Sequence, residues 1–364
     1  MMFFLGENLF KEKVFPEPLS KTFLDYERRS MIVKVFNDQI IYAAGENGFC
    51  HNRIPGIVVC ADGTMLVYYE CRMGRNDWSV SEIGMKKSTD GGKTWSKETY
   101  IASGEGKNTV NNPVMAVMPD GKIVFVWLEN YKRPFCKFSY DQGETWTERV
   151  EILDAFEEFR PDYAWTVAAT GPGHGTVTKD GRIVLTVWLT SNITNIFAHH
   201  PSVAATMVSD DGGETWHRGD ILPITDVPDP NEACMAETSR GLFMNIRNVS
   251  DRHRRYLAVS PDGATGWHDL HMAENLPDPI CAAGMTAKDD VLYFSNCVSE
   301  NGRVNVSLSR SADFGETWER VLLNESGGYS DVCVNPATGT AFVVYESQHE
   351  NEIRVAEVEI RKNN

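Results

Sequence analysis

The stretch from Asn52 to Trp78, NRIPGIVVCADGTMLVYYECRMGRNDW, places charged side chains at both ends of one hairpin. Arg53 opens it, and Glu70, Arg72, Arg75 and Asp77 close it. If these groups converge, guanidinium forks can grip an anion and carboxyl groups can move protons. If they do not, they are solvated loop charges. The same choice applies to Glu232, Arg247, Arg303, Tyr329 and Glu346, which stand far apart in the chain. The elements that carry these residues decide between the two readings.

Two repeats define those elements. The pattern Ser-x-Asp-x-Gly-x-Thr-Trp occurs as STDGGKTW from Ser88, SYDQGETW from Ser139, SDDGGETW from Ser209 and SADFGETW from Ser311. A degenerate copy, SPDGATGW from Ser260, has Ala264 in the glycine position. The pattern is that of a tight hairpin: Asp accepts from backbone N–H groups, Gly takes a positive φ, and Trp folds back to plug the blade. Successive copies start 51, 70, 51 and 51 residues apart, a spacing typical of propellers and arrays. A second pattern, two apolar strands around a turn, occurs six times, as in DGTMLVYYE, DGKIVFVWLEN and DGRIVLTVWLT. The expected fold is all-β: one six-bladed β-propeller of four-stranded antiparallel blades spanning residues 1–364. Residues 1–45 are expected to supply the strand that closes the ring, plus an extension, and only about residues 18–30 are expected to hold a short helix.

In such blades the Asp-Gly turn joins strands one and two, and the tryptophan box joins strands three and four. Strand direction alternates, so both turns lie on one face of the ring. Arg53, Glu232 and Tyr329 precede first strands; Glu70, Arg72, Asp77, Arg247 and Glu346 follow second strands; Arg303 opens a third. All nine therefore fall on the opposite face, which favours a site over scattered charge. Arg75 has no such assignment and reads as a solvated loop residue.

The bulk composition narrows the partners. A net charge of −16 and a pI near 5.0 argue against nucleic acid. No stretch approaches the roughly 18 apolar residues of a membrane span. The start, MMFFLGENLFKEKVFPEP, lacks a signal-peptide pattern, because Glu7, Lys11, Glu12 and Lys13 follow a short apolar run. Eight scattered cysteines without a Cys-x-x-Cys pair read as buried free thiols. The expected location is the cytoplasm, or outside the cell if a leader precedes this sequence.

The tryptophan boxes are those known as Asp-boxes, and RIP at Arg53 resembles the Arg-Ile-Pro motif of sialidases. NEACMAE, LFMNIRN, GRVNVSLSRS, GGYSDVCV, FVVYE and GPGHG resemble further sialidase segments, so the likeness runs from about residue 50 to 350. By this resemblance Arg53, Arg247 and Arg303 form a triad that grips a substrate carboxylate, with Glu346 supporting Arg53. Arg72 is an additional pocket arginine, with Glu70 beside it. Tyr329 is the nucleophile, Glu232 its general base, and Asp77 the acid/base. The physics fits. Each guanidinium–carboxylate pair at about 4 Å gives roughly 4 kcal/mol of raw attraction at an effective dielectric near 20. Distant surface charges are screened within about 8–10 Å, so a local arginine cluster overrides the acidic whole. A tyrosine nucleophile avoids the repulsion that a carboxylate would feel from the substrate's own carboxylate.

The resemblance implies a retaining exo-α-sialidase acting on sialylated glycans; no metal or cofactor is expected, and no separate lectin module is expected in this sequence. The same site could instead serve a related nonulosonic acid, or transfer sialic acid, including intramolecularly. A non-catalytic glycan-binding propeller would not need Tyr329, Glu232 and Asp77, and a glycosidase of neutral pentoses would not need the arginines. There are departures. Asn52 stands where the family has an aromatic residue, and the third repeat is long, with AFEEFRPDYAW and NITNIFAHHP expected to line the pocket floor or rim. His174, His199 and His200 show no metal-ligand spacing, and a lone histidine in the glycine-rich loop reads as structural.

Overall fold

Short apolar strands, punctuated by Asp-Gly turns and Asp-boxes, fold here into six antiparallel sheets that follow one another along the chain. The computed structural model describes residues 31–195, 197–347 and 351–362. Blades one to six comprise residues 51–103, 110–151, 167–221, 233–277, 284–326 and 330–362. The last takes Met31–Ala43 as its outer strand, paired antiparallel to Glu352–Lys362. An N-terminal strand thus completes the last blade. The helix expected over residues 18–30 lies outside the described residues. A short helix not expected from the sequence, Leu153–Glu157, buries Ala155 and Phe156.

The Asp-boxes are built as their residue types require. In the first, Asp90 accepts from Thr94 N at 2.9 Å and from Thr94 Oγ1 at 2.6 Å, while Ser88 Oγ accepts from Gly92 N at 2.9 Å. The pattern recurs at Asp141 and Asp211. The box tryptophans plug the blades unequally: Trp216 and Trp267 are buried, whereas Trp95, Trp146 and Trp318 are only partly so. Glycine is needed in the third box for two reasons. Gly213 has φ 92°, and a Cβ there would stand 2.9 Å from Val124 of the preceding blade.

Blade three departs from regularity at GPGHG. Its inner strand breaks after Thr170, and Gly173–His174 crosses to pair in parallel with Val114 and Met115 of blade two. There Tyr68 Oη donates to Gly173 O at 2.8 Å, and His174 Nδ1 meets Asp331 Oδ1 at 2.8 Å. Asp331 Oδ2 also accepts from Ile57 N at 3.1 Å. Blades one, two, three and six are thereby tied together through buried polar groups. Among the described residues no helix is long and apolar enough to cross a membrane. The eight cysteines are free; seven are buried and Cys50 is exposed.

Two outcomes follow for stability. Gly213→Ala should cost about 1–3 kcal/mol in urea unfolding, because it combines backbone strain with a clash. Gly181→Ala, with φ 88° but open space around it, should cost less. The box threonine hydroxyl and N–H lower Asp90, Asp141 and Asp211 from 3.8 to about 2. A folded value below the unfolded one means stability that is present above pH 4. It should be lost as pH falls from about 4 to about 2, which acid titration of the unfolding midpoint would reveal.

Candidate active site

The face opposite the Asp-boxes carries a cavity lined by Arg53, Asp77, Glu232, Arg247, Arg303 and Tyr329. Six of the nine residues singled out from the sequence therefore line one pocket. The other three, Glu70, Arg72 and Glu346, lie immediately behind it and have no exposed surface.

Glu346 is the innermost support. It ends the second strand of blade six, Ala341–Ser347. Arg53 Nε donates to its Oε1 at 3.0 Å and Arg53 Nη2 to its Oε2 at 3.2 Å. Ile54 N and Tyr329 N donate to the same carboxylate at 3.0 and 2.9 Å. Burial pushes Glu346 up, but the Arg53 charge, its hydrogen bonds, Arg303 and Ile54 N–H outweigh it and hold the carboxyl below its usual range. The local sequence makes this geometry possible. Ile54 takes φ 59°, unfavourable for a β-branched residue, inside a bulge between Arg53 and Gly56. A Cβ at Gly328 would lie 2.5 Å from Glu346 Oε2, so the second glycine of GGYSD is required for the approach.

Tyr329 precedes the inner strand Ser330–Val334 of blade six. Its hydroxyl donates to Glu232 at 2.7 Å to Oε1 and 2.9 Å to Oε2, and accepts from Arg247 Nη1 at 2.8 Å. Arg247 also pairs with Glu232. The guanidinium carbons of Arg53 and Arg303 lie 4.8 and 5.0 Å from the centre of the Tyr329 ring. Burial, then the Glu232 charge, raises the phenol well above its usual range despite three arginines pulling it down. The phenol is therefore neutral at rest, with a carboxylate placed to take its proton.

Asp77 sits on the other side, half-buried, with Arg72 Nη1 donating to its Oδ1 at 2.8 Å. Burial raises its carboxyl, but the Arg72 charge and hydrogen bond prevail and hold it below the usual range. Arg72 in turn donates from Nε to Glu70 Oε2 at 2.7 Å, and Asn112 N donates to Glu70 Oε1 at 2.7 Å. Burial raises Glu70 above its ordinary value. Here the structure corrects the sequence reading. Arg72, expected as a pocket arginine, is fully covered and stands behind the lining, where it donates to Asp77. Arg75 is exposed, as expected of a solvated loop residue.

The remaining wall is Ile54 of the RIP motif together with Tyr131, Trp188, His199, Asn112 and Asn231. Burial lowers His199. Sequence reasoning missed four of these, although Tyr131 follows a second strand and Asn231 precedes a first one, the positions that flagged the charged residues. The left-handed backbone at Asn112 and Tyr131, φ 49° and 53°, left no readable signal. The two long segments of repeat three part ways. His199 of NITNIFAHHP lines the pocket as expected. AFEEFRPDYAW does not: Phe156, Phe159 and Trp165 are buried in the core that joins blades two and three. Among the described residues no cluster of His, Cys, Asp and Glu has the makings of a metal site.

The fold and site together define a six-bladed propeller with an arginine-rich pocket around a tyrosine–glutamate pair. Residues 95–343 match the family model described as BNR repeat-like domain, and residues 86–97 match the BNR/Asp-box repeat. The chain belongs to the BNR repeat-like domain family. It is 27% identical over 349 residues to a sialidase of Bacteroides fragilis, covering 84% of this chain and 61% of that protein. It is 26% identical over 351 residues to a sialidase of Micromonospora viridifaciens, covering 86% and 52%. The chain thus spans only half to three-fifths of the length of these relatives. Among solved structures, Hadza microbial sialidase Hz136 superposes with a TM-score of 0.76 at 25% identity, covering 89% of this chain and 68% of that one.

Glu346→Ala should destabilise the protein by about 3–5 kcal/mol in denaturant unfolding, because it leaves the buried Arg53 charge unpaired. A cost below 1 kcal/mol would mean that Arg53 finds water or another partner.

Proposed function

We propose that the protein is a retaining exo-α-sialidase that releases terminal sialic acid from sialylated glycans through a tyrosyl covalent intermediate. The observation that carries this reading is the Tyr329 hydroxyl, held between Glu232 and Arg247 with Arg53 and Arg303 against its ring. Such a cluster suits an anionic sugar: three guanidinium groups bind its carboxylate, and the nucleophile beneath them is neutral until it reacts. Glu232 takes the phenol proton as the Tyr329 oxygen bonds to the anomeric carbon. The bond from that carbon to the leaving oxygen breaks, and Asp77 gives that oxygen a proton. Water then displaces Tyr329, with Asp77 now accepting the water's proton and Glu232 returning its own to the phenol. Sialidases are exceptions to the two-carboxylate scheme in just this use of tyrosine. The sialidase relatives support the substrate class.

The first test is release of 4-methylumbelliferone from its N-acetylneuraminic acid glycoside. Tyr329→Phe should lower kcat by about 10²–10⁴-fold. A folded wild type with no turnover would overturn the proposal. Asp77 supplies a pH test. Arg72 keeps it ionised at neutrality, so its acid form becomes scarcer as pH rises. On natural glycans, whose leaving groups need that proton, kcat/KM should fall about tenfold per pH unit on the alkaline side. Asp77→Ala should remove this limb and lose most activity on poor leaving groups and less on good ones, which need Asp77 only to activate water.

A further inference from the structure

Asp77 fixes where the leaving group must go. On the sialidase reading, on which this inference rests, the oxygen that Asp77 protonates carries the remainder of the glycan. The first ring of that remainder therefore emerges beside residue 77. The next residue, Trp78, is half-buried, with its ring 4.9 Å from that of Tyr131. Phe197 meets it edge-on at 4.8 Å and is itself 58% exposed.

A single exposed phenylalanine is ordinary on a protein surface. This one is held in place. Phe197 N donates to Asn195 Oδ1 at 3.1 Å, and Asn195 N donates to Asn192 Oδ1 at 2.8 Å. The other half of the pair is equally fixed. The Asp77 carbonyl accepts from Thr109 Oγ1 at 3.2 Å and from Asn111 Nδ2 at 3.3 Å, and Trp78 N donates to Asn76 Oδ1 at 2.9 Å. An aromatic surface thus stands against the ring of the residue that follows the acid. The C–H face of a pyranose is apolar and packs on such a ring, while its hydroxyls stay in water.

We infer that Phe197, seated on Trp78, is the stacking surface for the first sugar of the leaving group. The arginines hold the sialic acid, and Phe197 selects what it is attached to. Phe197→Ala should lower kcat/KM on sialyllactose roughly five- to tenfold. It should leave the inhibition constant of free N-acetylneuraminic acid, which has no leaving group, within about twofold. Phe197→Tyr, which retains the ring, should behave as wild type. An unchanged kcat/KM on sialyllactose would overturn the inference. So would an equal loss in both measurements, which would mean that Phe197 only braces the Asp77 loop. A wild type that turns over no sialoside would count against the sialidase reading itself, a result separate from either.

Discussion

One buried carboxylate constrains the rest of the site. Glu346 has no exposed surface and accepts from Arg53, Ile54 N and Tyr329 N together. An isolated charge there would be costly, and so would an isolated Arg53. The pair is tolerable because each neutralises the other and the remaining lone pairs are filled by backbone donors. Several oddities of the chain serve this arrangement: the left-handed Ile54, the bulge at Pro55 and the glycine at 328. The carboxylate also fixes the Tyr329 backbone, so the anion clamp and the nucleophile share one anchor.

Charge is managed locally elsewhere too. The net charge of −16 says little about the pocket, where Arg53, Arg72 and Arg247 are each paired with an acid. Arg247 bridges Glu232 and Tyr329, and Arg72 bridges Glu70 and Asp77. These two chains do opposite things to the groups at their ends. One leaves a neutral phenol against a carboxylate; the other leaves an acid ionised on a buried guanidinium. The neutral phenol suits the first step and the ionised Asp77 the second, in which it accepts the water's proton; proton donation to the leaving group draws on the minor acid form of Asp77.

The fold was legible because its signals repeat. Each Asp-box fixes a hairpin through side chains that bond only to their own turn, so the pattern survives in the sequence without knowledge of distant neighbours. The alternation of strands then placed Tyr329, Glu232 and the arginines on one face by counting alone. Burial was less legible. Counting set Arg72 on the site face and left Arg75 to solvent, but nothing in RMGRND says that Arg72 is wholly covered. The two long segments of repeat three both contain aromatics, and only packing separates Phe156 and Phe159 in the core from Phe197 on the surface. Tyr131 and Asn112 reach the pocket through left-handed backbone at non-glycine residues, a conformation that sequence does not announce.

The closing of the ring has a consequence in time. Arg53 and Glu346 are 293 residues apart in the chain. At a synthesis rate of about 5–20 residues per second, the acid follows the arginine by roughly 15–60 s. For that interval blade one exists without the partner that makes its buried guanidinium tolerable, and Tyr329 and Glu346 have not yet been made. The pocket therefore cannot be complete until blade six has been made, because that blade carries both Tyr329 and Glu346.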